Sequence, residues 1–254
     1  MHLLVLDVGN TRLKWGLYAA AQPGAALLAH GAMVLEDVDH LHQALSPWPR
    51  PAAVIGCAVA GAVVTARVCA ELDTLGLHCQ WIGAQAEQCG VRNGYVTPSL
   101  LGADRWAALL GARQHVPDGA AMIISVGTAV TVDCLSRDGV FLGGVILPGF
   151  GLMLRALEMG TAGLRVPEGE IREFPVNTSD ALMTGGALAI AGAAQQMYAR
   201  LRAREPQGGQ VLLTGGAAPK LQPALGLPHR HVEHLVFDGL LCIAAQQTAG
   251  GQST

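Results

Sequence analysis

The chain has 254 residues, a formal net charge of −3, and a composition that is 51% hydrophobic and only 14% charged. This balance excludes a disordered chain and gives no electrostatic reason to expect a nucleic-acid partner. The length allows one large domain or two domains of ordinary size. The six cysteines include no C-x-x-C pair, which favours free thiols in a reducing compartment over a disulfide framework.

The sequence also indicates whether the chain carries a signal peptide or a membrane span. The chain enters an apolar strand directly, without the basic, apolar and cleavage regions of a signal peptide. Its most apolar stretch, residues 140–154, is too short and too rich in glycine to span a bilayer, which takes about 20 residues. We therefore expect a cytoplasmic protein with no membrane partner.

In the first half of the chain, apolar alternation predicts strands and helical spacing of apolar residues predicts helices. The predicted strands cover residues 3–8, 12–18, 30–35, 53–58 and 78–82, and the predicted helices cover 36–45, 60–75 and 103–114. Residues 116–119 carry a Pro-Asp-Gly turn signal and are the best candidate for a linker.

The second half repeats this order of strands and helices. It predicts a hairpin over 122–135, a strand over 140–147, a helix over 150–158, an irregular segment over 160–177, a helix over 179–204 capped by Thr178 or Ser179, a strand over 211–213 and a short helix over 217–224. Strands followed by helices, twice over, predict an α/β protein built from two similar halves. We place these halves at 1–118 and 119–254.

Two hairpins carry the duplication most clearly. When the strand before Gly9 is aligned with the strand before Gly127, Asp7 falls on Ser125. A tight glycine turn with exposed N–H and hydroxyl groups can bind phosphate oxygens. Two such turns, one in each half, predict a polyphosphate held from opposite sides of a cleft.

The first hairpin has the residue types that a metal-bound phosphate chain requires. Asp7 ends a buried strand, and Gly9, Asn10 and Thr11 form the turn, with Lys14 on the return strand. The carboxylate would attract Mg²⁺ through water while the turn holds phosphate oxygens. The structural alternative is an ordinary hairpin turn made by Asn and Thr.

Two further segments are candidates for binding. Asp104 and Arg105 stand together at the start of a predicted helix, where Asp104 could accept a hydroxyl proton and Arg105 could bind a carboxylate. The alternative is a helix cap beside a solvated arginine. Gly215 and Gly216 follow a strand and allow close approach of a nucleotide, or form only a strand-to-helix turn.

Taken together, these segments resemble the type III pantothenate kinases. That family belongs to the acetate and sugar kinase/Hsp70/actin superfamily, whose halves are ribonuclease H-like and enclose a nucleotide cleft. The matching segments come in the family's order and spacing and cover nearly the whole chain: 7–14, 93–95, 102–105, 127–133, 143–149, 177–178 and 213–216.

The resemblance implies that ATP phosphorylates pantothenate to 4′-phosphopantothenate, the first step of coenzyme A synthesis. The implied ATP phosphate loop comprises Asp7, Val8, Gly9, Asn10, Thr11, Arg12, Leu13 and Lys14, with Thr128 contacting ATP from the other half. The implied pantothenate site comprises Tyr95, Gly102, Ala103, Asp104, Arg105 and Thr178. Asp104 would be the proton acceptor, and Asp7 would hold Mg²⁺ through water. The family also implies a homodimer with pantothenate sites near the subunit interface.

One residue departs from the family pattern. The family has an aspartate two residues before the second glycine turn, where it binds a monovalent cation, and this chain has Ser125 there. A hydroxyl attracts a cation far less than a carboxylate does, so we predict weak or no dependence on K⁺ or NH₄⁺.

Two other functions remain open at this point. One is a kinase of the same superfamily for a sugar or a small carboxylic acid, against which Tyr95 and residues 102–105 argue. The other is a non-catalytic nucleotide-binding regulator, like the virulence accessory factor named within the family. Asp7, Asp104 and Thr128 argue against a regulator, because these residues would serve catalysis.

Overall fold

A computed structural model describes residues 2–160 and 166–250 of the chain. The described residues form two compact units. Unit 1 takes those up to Pro117 together with those from His234 onwards, and unit 2 takes the described part of Asp118–Glu233.

Unit 1 is built on a five-stranded sheet with helices on both faces. Its elements are β1 (Leu3–Val8), β2 (Arg12–Tyr18), β3 (Leu27–Val34), α1 (Leu41–Leu45), β4 (Ala53–Ala58), α2 (Ala62–Thr74), β5 (Cys79–Trp81), the small strands β6 (Glu87–Gln88) and β7 (Val91–Arg92), and α3 (Ala103–His115). The sheet order is β3-β2-β1-β4-β5, in which β1 runs antiparallel to β2 and parallel to β4.

The alternation of β1 decides which side chains face which helices. Leu4, Leu6 and Val8 are buried in one core cluster with Val68 and Leu72 of α2. Asp7 therefore points to the opposite face, since successive side chains of a strand alternate. On that face α3 packs on β4, and the C-terminal helix of the chain packs on β1 and β4.

Unit 2 repeats this architecture. Its elements are β8 (Ala120–Val126), β9 (Ala129–Leu135), β10 (Phe141–Pro148), α4 (Phe150–Gly160), α5 (Thr178–Arg204), β11 (Gly209–Thr214), α6 (Ala218–Leu221) and β12 (Arg230–His231). The sheet order is β10-β9-β8-β11-β12, strand for strand the order of unit 1. Met122, Ile124 and Val126 of β8 pack in one core cluster with Ala187 and Ile190 of α5. The predicted duplication of an α/β fold is confirmed.

The last helix, α7 (Leu235–Gly250), was not predicted, and it changes the division of the chain. It lies in unit 1, where it packs so closely on α3 that a Cβ on Gly239 would lie 1.9 Å from the carbonyl oxygen of Ala107. The predicted second half, 119–254, therefore differs from unit 2 at its C-terminal end. The helix is apolar on nearly all of its sides. Its sequence therefore lacks the apolar stripe from which the other helices were predicted.

Smaller differences lie at element ends. The predicted helix over 36–45 is a 3₁₀ helix, Leu35–His40, followed by the single turn of α1. The cap of α5 is Asn177, whose side chain accepts a hydrogen bond from the Asp180 N–H, so the predicted caps Thr178 and Ser179 were wrong by one or two residues. Of the segment predicted to be irregular, residues 161–165 lie outside the described residues, and 166–177 contain neither helix nor strand. Among the helices that the structure describes, none combines the length and the hydropathy needed to cross a bilayer.

Candidate functional site

In unit 1, three polar side chains lie side by side in neighbouring strands, on the face of the sheet that α3 and α7 cover. Asp7 of β1 is the cross-strand partner of Lys14 in β2 and, on its other side, of Cys57 in β4. The Cys57 thiol donates a hydrogen bond to Asp7 Oδ1 at 3.6 Å. Cys57 is a functional neighbour that the sequence analysis missed, because its proximity depends on the parallel pairing of two strands 50 residues apart.

Asp7 is an unusual carboxylate because protein atoms surround most of it, although the residue keeps some exposure to solvent. Burial raises its pKa to about 6, and the neighbouring Asp104 carboxylate adds to this, while Lys14 and the Cys57 hydrogen bond act in the opposite direction. Burial, followed by the charge on Asp7, also raises the pKa of the Cys57 thiol, which therefore stays protonated and donates. A cation at this position would stabilise the ionised form of Asp7, which burial disfavours.

The donor set fits Mg²⁺ bound by few protein ligands. Mg²⁺ typically takes one or two carboxylates and completes its shell with water and substrate phosphates. Asp7 is one carboxylate, and Asp104 is a second whose charge raises the pKa of Asp7. Within the described ranges, no group of three or more His, Cys, Asp or Glu side chains forms a dedicated protein cage. The arrangement therefore suits an ion that arrives with a phosphate chain.

The predicted phosphate loop, residues 7–14, contains both exposed and buried residues. The Gly9 N–H donates to the Arg12 carbonyl at 3.0 Å, closing the turn. Asn10, Thr11 and Arg12 are exposed at its tip. Val8 and Leu13, by contrast, are completely buried in the core, with 0% exposure, so their side chains cannot contact a ligand.

Helix α3 brings Asp104 to the same face of the unit. The helix begins at Ala103, directly after Gly102, and has Asp104 in its first turn. Asp104 Oδ1 accepts a hydrogen bond from the Arg105 N–H at 2.8 Å. The electrostatic influence of Asp104 on Asp7 places the two carboxylates near each other. The sequence could not show this, since the two residues lie on separate elements.

Arg105 and Tyr95 form a second polar pair beside Asp104. Arg105 is only 8% exposed, and its Nη1 donates to the Tyr95 hydroxyl at 2.8 Å. Asn93 orders the loop that carries Tyr95: its Oδ1 accepts from the Tyr95 N–H at 3.0 Å, and its Nδ2 donates to the carbonyls of Gln85 and Pro98. A buried guanidinium favours an anionic ligand such as a carboxylate, because the charge is poorly solvated.

In unit 2, three glycine turns meet at the end of β8. The Gly149 N–H donates to the Thr128 carbonyl at 2.9 Å, and the Ala217 N–H donates to the Val126 carbonyl at 3.0 Å. Gly215 has a φ of +96°, and a Cβ there would lie 2.4 Å from the Val126 carbonyl oxygen. The predicted second phosphate turn and the predicted glycine turn at 215–216 are thus neighbours, which the sequence alone did not show.

Ser125 occupies the position in unit 2 that Asp7 occupies in unit 1. Its cross-strand partners are Thr131 in β9 and Thr214 in β11. The Lys14–Asp7–Cys57 row of unit 1 thus corresponds to a row of three hydroxyl groups. The row contains no carboxylate that would attract a monovalent cation.

Thr178 is at the start of a helix in unit 2. It is the first residue of α5 and is exposed. Asp180, in the same turn, is held by the Glu170 N–H at 2.7 Å and by Asn177 Nδ2 at 2.8 Å, and these hydrogen bonds lower its pKa. The structure thus gathers Asp7, Lys14 and Asp104 in unit 1 and assigns Thr178 to a separate helix start in unit 2.

Comparisons with known proteins identify the family and the fold. Residues 3–200 match the family model described as type III pantothenate kinase. The chain is 52% identical to the type III pantothenate kinase of Leptothrix cholodnii and 51% identical to that of Acidovorax ebreus. The first match covers 99% of both chains and the second 98% of both. Among solved structures, the (R)-2-hydroxyglutaryl-CoA dehydratase component A of Acidaminococcus fermentans is similar, with a TM-score of 0.55 at 13% identity over 98% of this chain and 99% of that one.

The structural similarity establishes the fold, and the sequence similarity establishes the family. The two sheets of identical strand order have the architecture of the actin, Hsp70 and sugar kinase type. The family model covers well over half of the chain, and both relatives match it nearly end to end. This chain belongs to the type III pantothenate kinase family.

Proposed function

We propose that this chain transfers the γ-phosphoryl group of ATP to the primary hydroxyl of pantothenate, giving ADP and 4′-phosphopantothenate in the first step of coenzyme A biosynthesis. The observation that carries the proposal is the cluster of Asp7, Lys14 and Asp104 next to the Arg105–Tyr95 pair. Family membership supports the choice of pantothenate over a sugar. Phosphoryl transfer asks the protein mainly for positioning and charge stabilisation, and this cluster offers both.

Asp104 is the proposed proton acceptor. It lies in the first turn of α3, where it is partly exposed and can reach a substrate hydroxyl. Accepting that proton in the transition state makes the alcohol oxygen a better nucleophile toward the γ-phosphorus. Its position beside Asp7 brings the attacking oxygen close to the group that is proposed to attract the metal–phosphate complex.

Arg105 and Tyr95 are proposed to hold the carboxylate of pantothenate. The Tyr95 hydroxyl accepts a hydrogen bond from the Arg105 guanidinium, and the planar array of donors on a guanidinium matches a carboxylate. Gly102 and Ala103 would contribute backbone N–H groups at the helix start, and Thr178 a hydroxyl. The result is an acceptor site selective for a small hydroxy acid.

The turn formed by Gly9, Asn10 and Thr11 is proposed to bind ATP phosphate oxygens, with Lys14 offsetting their charge. Asp7 would hold Mg²⁺ through water, and the ion would supply further neutralisation of the β- and γ-phosphates when bound. Thr128 is proposed as a second phosphate contact, on the basis that its turn in unit 2 corresponds to the turn after Asp7.

Monovalent cations are proposed to have little influence on this reaction. Ser125, Thr131 and Thr214 provide hydroxyl oxygens without a formal negative charge. A monovalent ion gains little from neutral ligands compared with water, so K⁺ or NH₄⁺ should bind weakly here.

A homodimer is the proposed assembly, and the cytoplasm the proposed compartment. Large apolar side chains are exposed in both units, among them Val96 beside Tyr95 (104%), Phe174 (82%) and Val176 (95%) near the start of α5. Exposed apolar groups of this size commonly mark a protein interface, and a second copy of the chain is the occupant that the family resemblance favours. The lack of a C-x-x-C pair among the six cysteines supports a reducing compartment.

The direct test is an assay of the purified chain with ATP, Mg²⁺ and a panel of acceptors that includes pantothenate, glucose and acetate. ADP release coupled to a dehydrogenase readout should require pantothenate, and mass spectrometry should detect one phosphate added to it. Nucleotide binding without pantothenate-dependent ADP release, or faster release with another acceptor, would contradict the proposal.

A further inference from the structure

The Cys57 thiol lies beside Asp7 in the sheet of unit 1. Cys57 belongs to β4, which pairs with β1 on one side and with β5 on the other, and the parallel register sets Cys57 directly opposite Asp7. The residue is completely buried, and its Sγ donates to Asp7 Oδ1 at 3.6 Å. One side-chain torsion sets the position of a cysteine sulfur, so a strand that is hydrogen-bonded on both sides holds this donor in place.

The two carboxylate oxygens of Asp7 differ in their surroundings. Within residues 2–160 and 166–250, Cys57 is the only group that donates a hydrogen bond to this carboxylate, and it contacts Oδ1. No buried side-chain oxygen of the described residues lacks a hydrogen-bond partner, so Oδ2 must reach solvent. Asp7 indeed keeps some exposure, although its strand is otherwise buried. One oxygen is thus held by the protein, and the other is open to water.

We propose that Cys57 is a positioning residue for phosphoryl transfer, which orients the Asp7 carboxylate for the Mg²⁺ that accompanies ATP. With Oδ1 held by the thiol, Oδ2 is left to accept hydrogen bonds from the water shell of the ion. Groups that hydrogen-bond a metal-binding side chain commonly fix its orientation in this way. The inference rests on the proposed function, because Cys57 acts through Asp7 and is assigned no contact with a substrate.

The equivalent position in unit 2 also has a buried hydrogen-bond donor. Thr214 of β11 is the cross-strand neighbour of Ser125, as Cys57 is of Asp7. Thr214 is buried as well, but its hydroxyl donates to the Glu233 carbonyl at 3.5 Å. Of these two equivalent donors, only the one in unit 1 contacts a carboxylate. The role assigned to Cys57 therefore depends on its S–H group and not on its volume, which is the difference that a test must resolve.

The first test measures metal-dependent nucleotide binding without turnover. A non-hydrolysable ATP analogue is titrated calorimetrically into the whole chain, with and without Mn²⁺ as the probe for the Mg²⁺ site, and the ratio of the two dissociation constants gives the gain from the metal. Cys57→Ala and Cys57→Val lack the donor and should reduce this gain roughly two- to tenfold, the effect expected from the loss of one hydrogen bond. Cys57→Ser should stay within about twofold of the parent chain, since a hydroxyl is also a donor.

Cys134→Ala is the matched control for the loss of a buried thiol. Cys134 is also a buried cysteine in a strand, but it lies in β9 of unit 2, so its substitution should leave the gain from Mn²⁺ unchanged. Circular dichroism and urea unfolding identify the variants that fold. An unchanged gain in a folded variant that lacks the donor, or an equal loss in Cys57→Ser, would overturn the proposal.

A double-mutant cycle with Asp7→Asn tests whether Cys57 acts through Asp7. In the parent chain, Cys57→Ala should raise the Mg²⁺ concentration for half-maximal pantothenate-dependent ADP release roughly two- to tenfold, with KM for pantothenate unchanged. In the Asp7→Asn chain, the same substitution should have no further effect. Equal effects in the two backgrounds would make Cys57 a general structural residue and contradict the proposal. A parent chain without pantothenate-dependent ADP release would instead contradict the proposed function, and the nucleotide titrations would still test the role of Cys57.

Discussion

The hairpin of β1 and β2 and the hairpin of β8 and β9 occupy the same place in sheets of the same strand order, yet they carry different chemistry. In the first, Asp7 lies between Lys14 and Cys57, and burial raises its pKa to about 6. In the second, Ser125 lies between Thr131 and Thr214. Both hairpins have a glycine turn, but the second turn is one residue shorter, since the Gly9 N–H donates to the Arg12 carbonyl and the Gly127 N–H to the Ala129 carbonyl. Only the first hairpin carries an ionisable row.

The acidic residues in the first turns of α3 and α5 also have different surroundings. Asp104, in the first turn of α3, is close enough to Asp7 to influence its ionisation. Asp180, in the first turn of α5, is instead held by the Glu170 N–H and the Asn177 side chain. One acidic residue faces another carboxylate, and the other stabilises a helix start. Unit 1 therefore has the interacting carboxylates, and the corresponding row in unit 2 has hydroxyl groups.

The largest effect is expected from Asp104→Asn. Loss of the proposed proton acceptor should lower kcat by roughly 10²–10⁴-fold, the range for a positioned acid–base group, with ATP binding retained. Steady-state kinetics and nucleotide titration measure the two quantities. Asp180→Asn is the matched control and should keep kcat within about threefold, since its carboxylate has a structural role. Similar losses in both variants would remove the distinction between the two helices.

Asp7→Asn should separate activity from stability. The Asn side chain has no charge to desolvate, so the variant should gain free energy of unfolding at pH 7, by up to about 3 kcal/mol for a pKa raised by burial from 3.8 to about 6. Urea unfolding followed by circular dichroism gives this difference.

The pH dependence of that difference has a defined sign. Because the folded-state pKa of Asp7 lies above its unfolded value, protonation favours the folded state of the parent chain as the pH falls. The advantage of Asp7→Asn should therefore be complete above about pH 6 and vanish near pH 4. Ser125→Ala, the equivalent change in the second hairpin, should show no such window. A pH-independent difference for Asp7→Asn would contradict the burial of its charge.

Tyr95→Phe tests the proposed binding site for the pantothenate carboxylate in unit 1. Without the hydroxyl that accepts from Arg105 Nη1, the guanidinium is less well positioned, and KM for pantothenate should rise about 10-fold while KM for ATP is unchanged. Tyr198→Phe, which removes a hydroxyl that donates to the Gly209 carbonyl in unit 2, is the control and should change neither constant. Equal shifts in both KM values for Tyr95→Phe would assign Tyr95 a general structural role.

The smallest effect is expected from monovalent cations. Replacement of K⁺ and NH₄⁺ by a large organic cation should change the rate of the parent chain by less than about twofold, because Ser125 provides no negative charge. Ser125→Asp should instead acquire activation by K⁺, and Ser125→Asn should not. Strong K⁺ activation of the parent chain would show that other groups compensate for the missing carboxylate.

Local pattern was sufficient to predict most of the fold. Alternating apolar residues gave β1, β2, β8 and β9 to within two residues at each end, and the shared offset of Gly9 and Gly127 revealed the duplication. Helix α7 escaped because it is apolar nearly all round, so its sequence lacks the stripe that marks a surface helix. Its return to unit 1 depends on close contact with α3, which no local pattern encodes.

The candidate site was predictable residue by residue but not as an arrangement. Asp7, Lys14 and Asp104 were identified from residue type and position, whereas their proximity requires the sheet and the packing of α3. Cys57 had no signal, because a cysteine in an apolar strand resembles any core residue. Val8 and Leu13 belonged to the predicted loop, yet the pleat of the strands turns their side chains into the core.

The dependence of the rate on Mg²⁺ concentration tests the contrast between the hairpins most directly. We compare the parent chain with Asp7→Asn and with Ser125→Ala, measuring the Mg²⁺ concentration that gives half of the maximal pantothenate-dependent ADP release. The account predicts that Asp7→Asn raises this concentration about 10-fold or more, as expected for the loss of a charge-assisted contact, and that Ser125→Ala leaves it unchanged. Equal shifts in the two variants, or a shift only in Ser125→Ala, would contradict it.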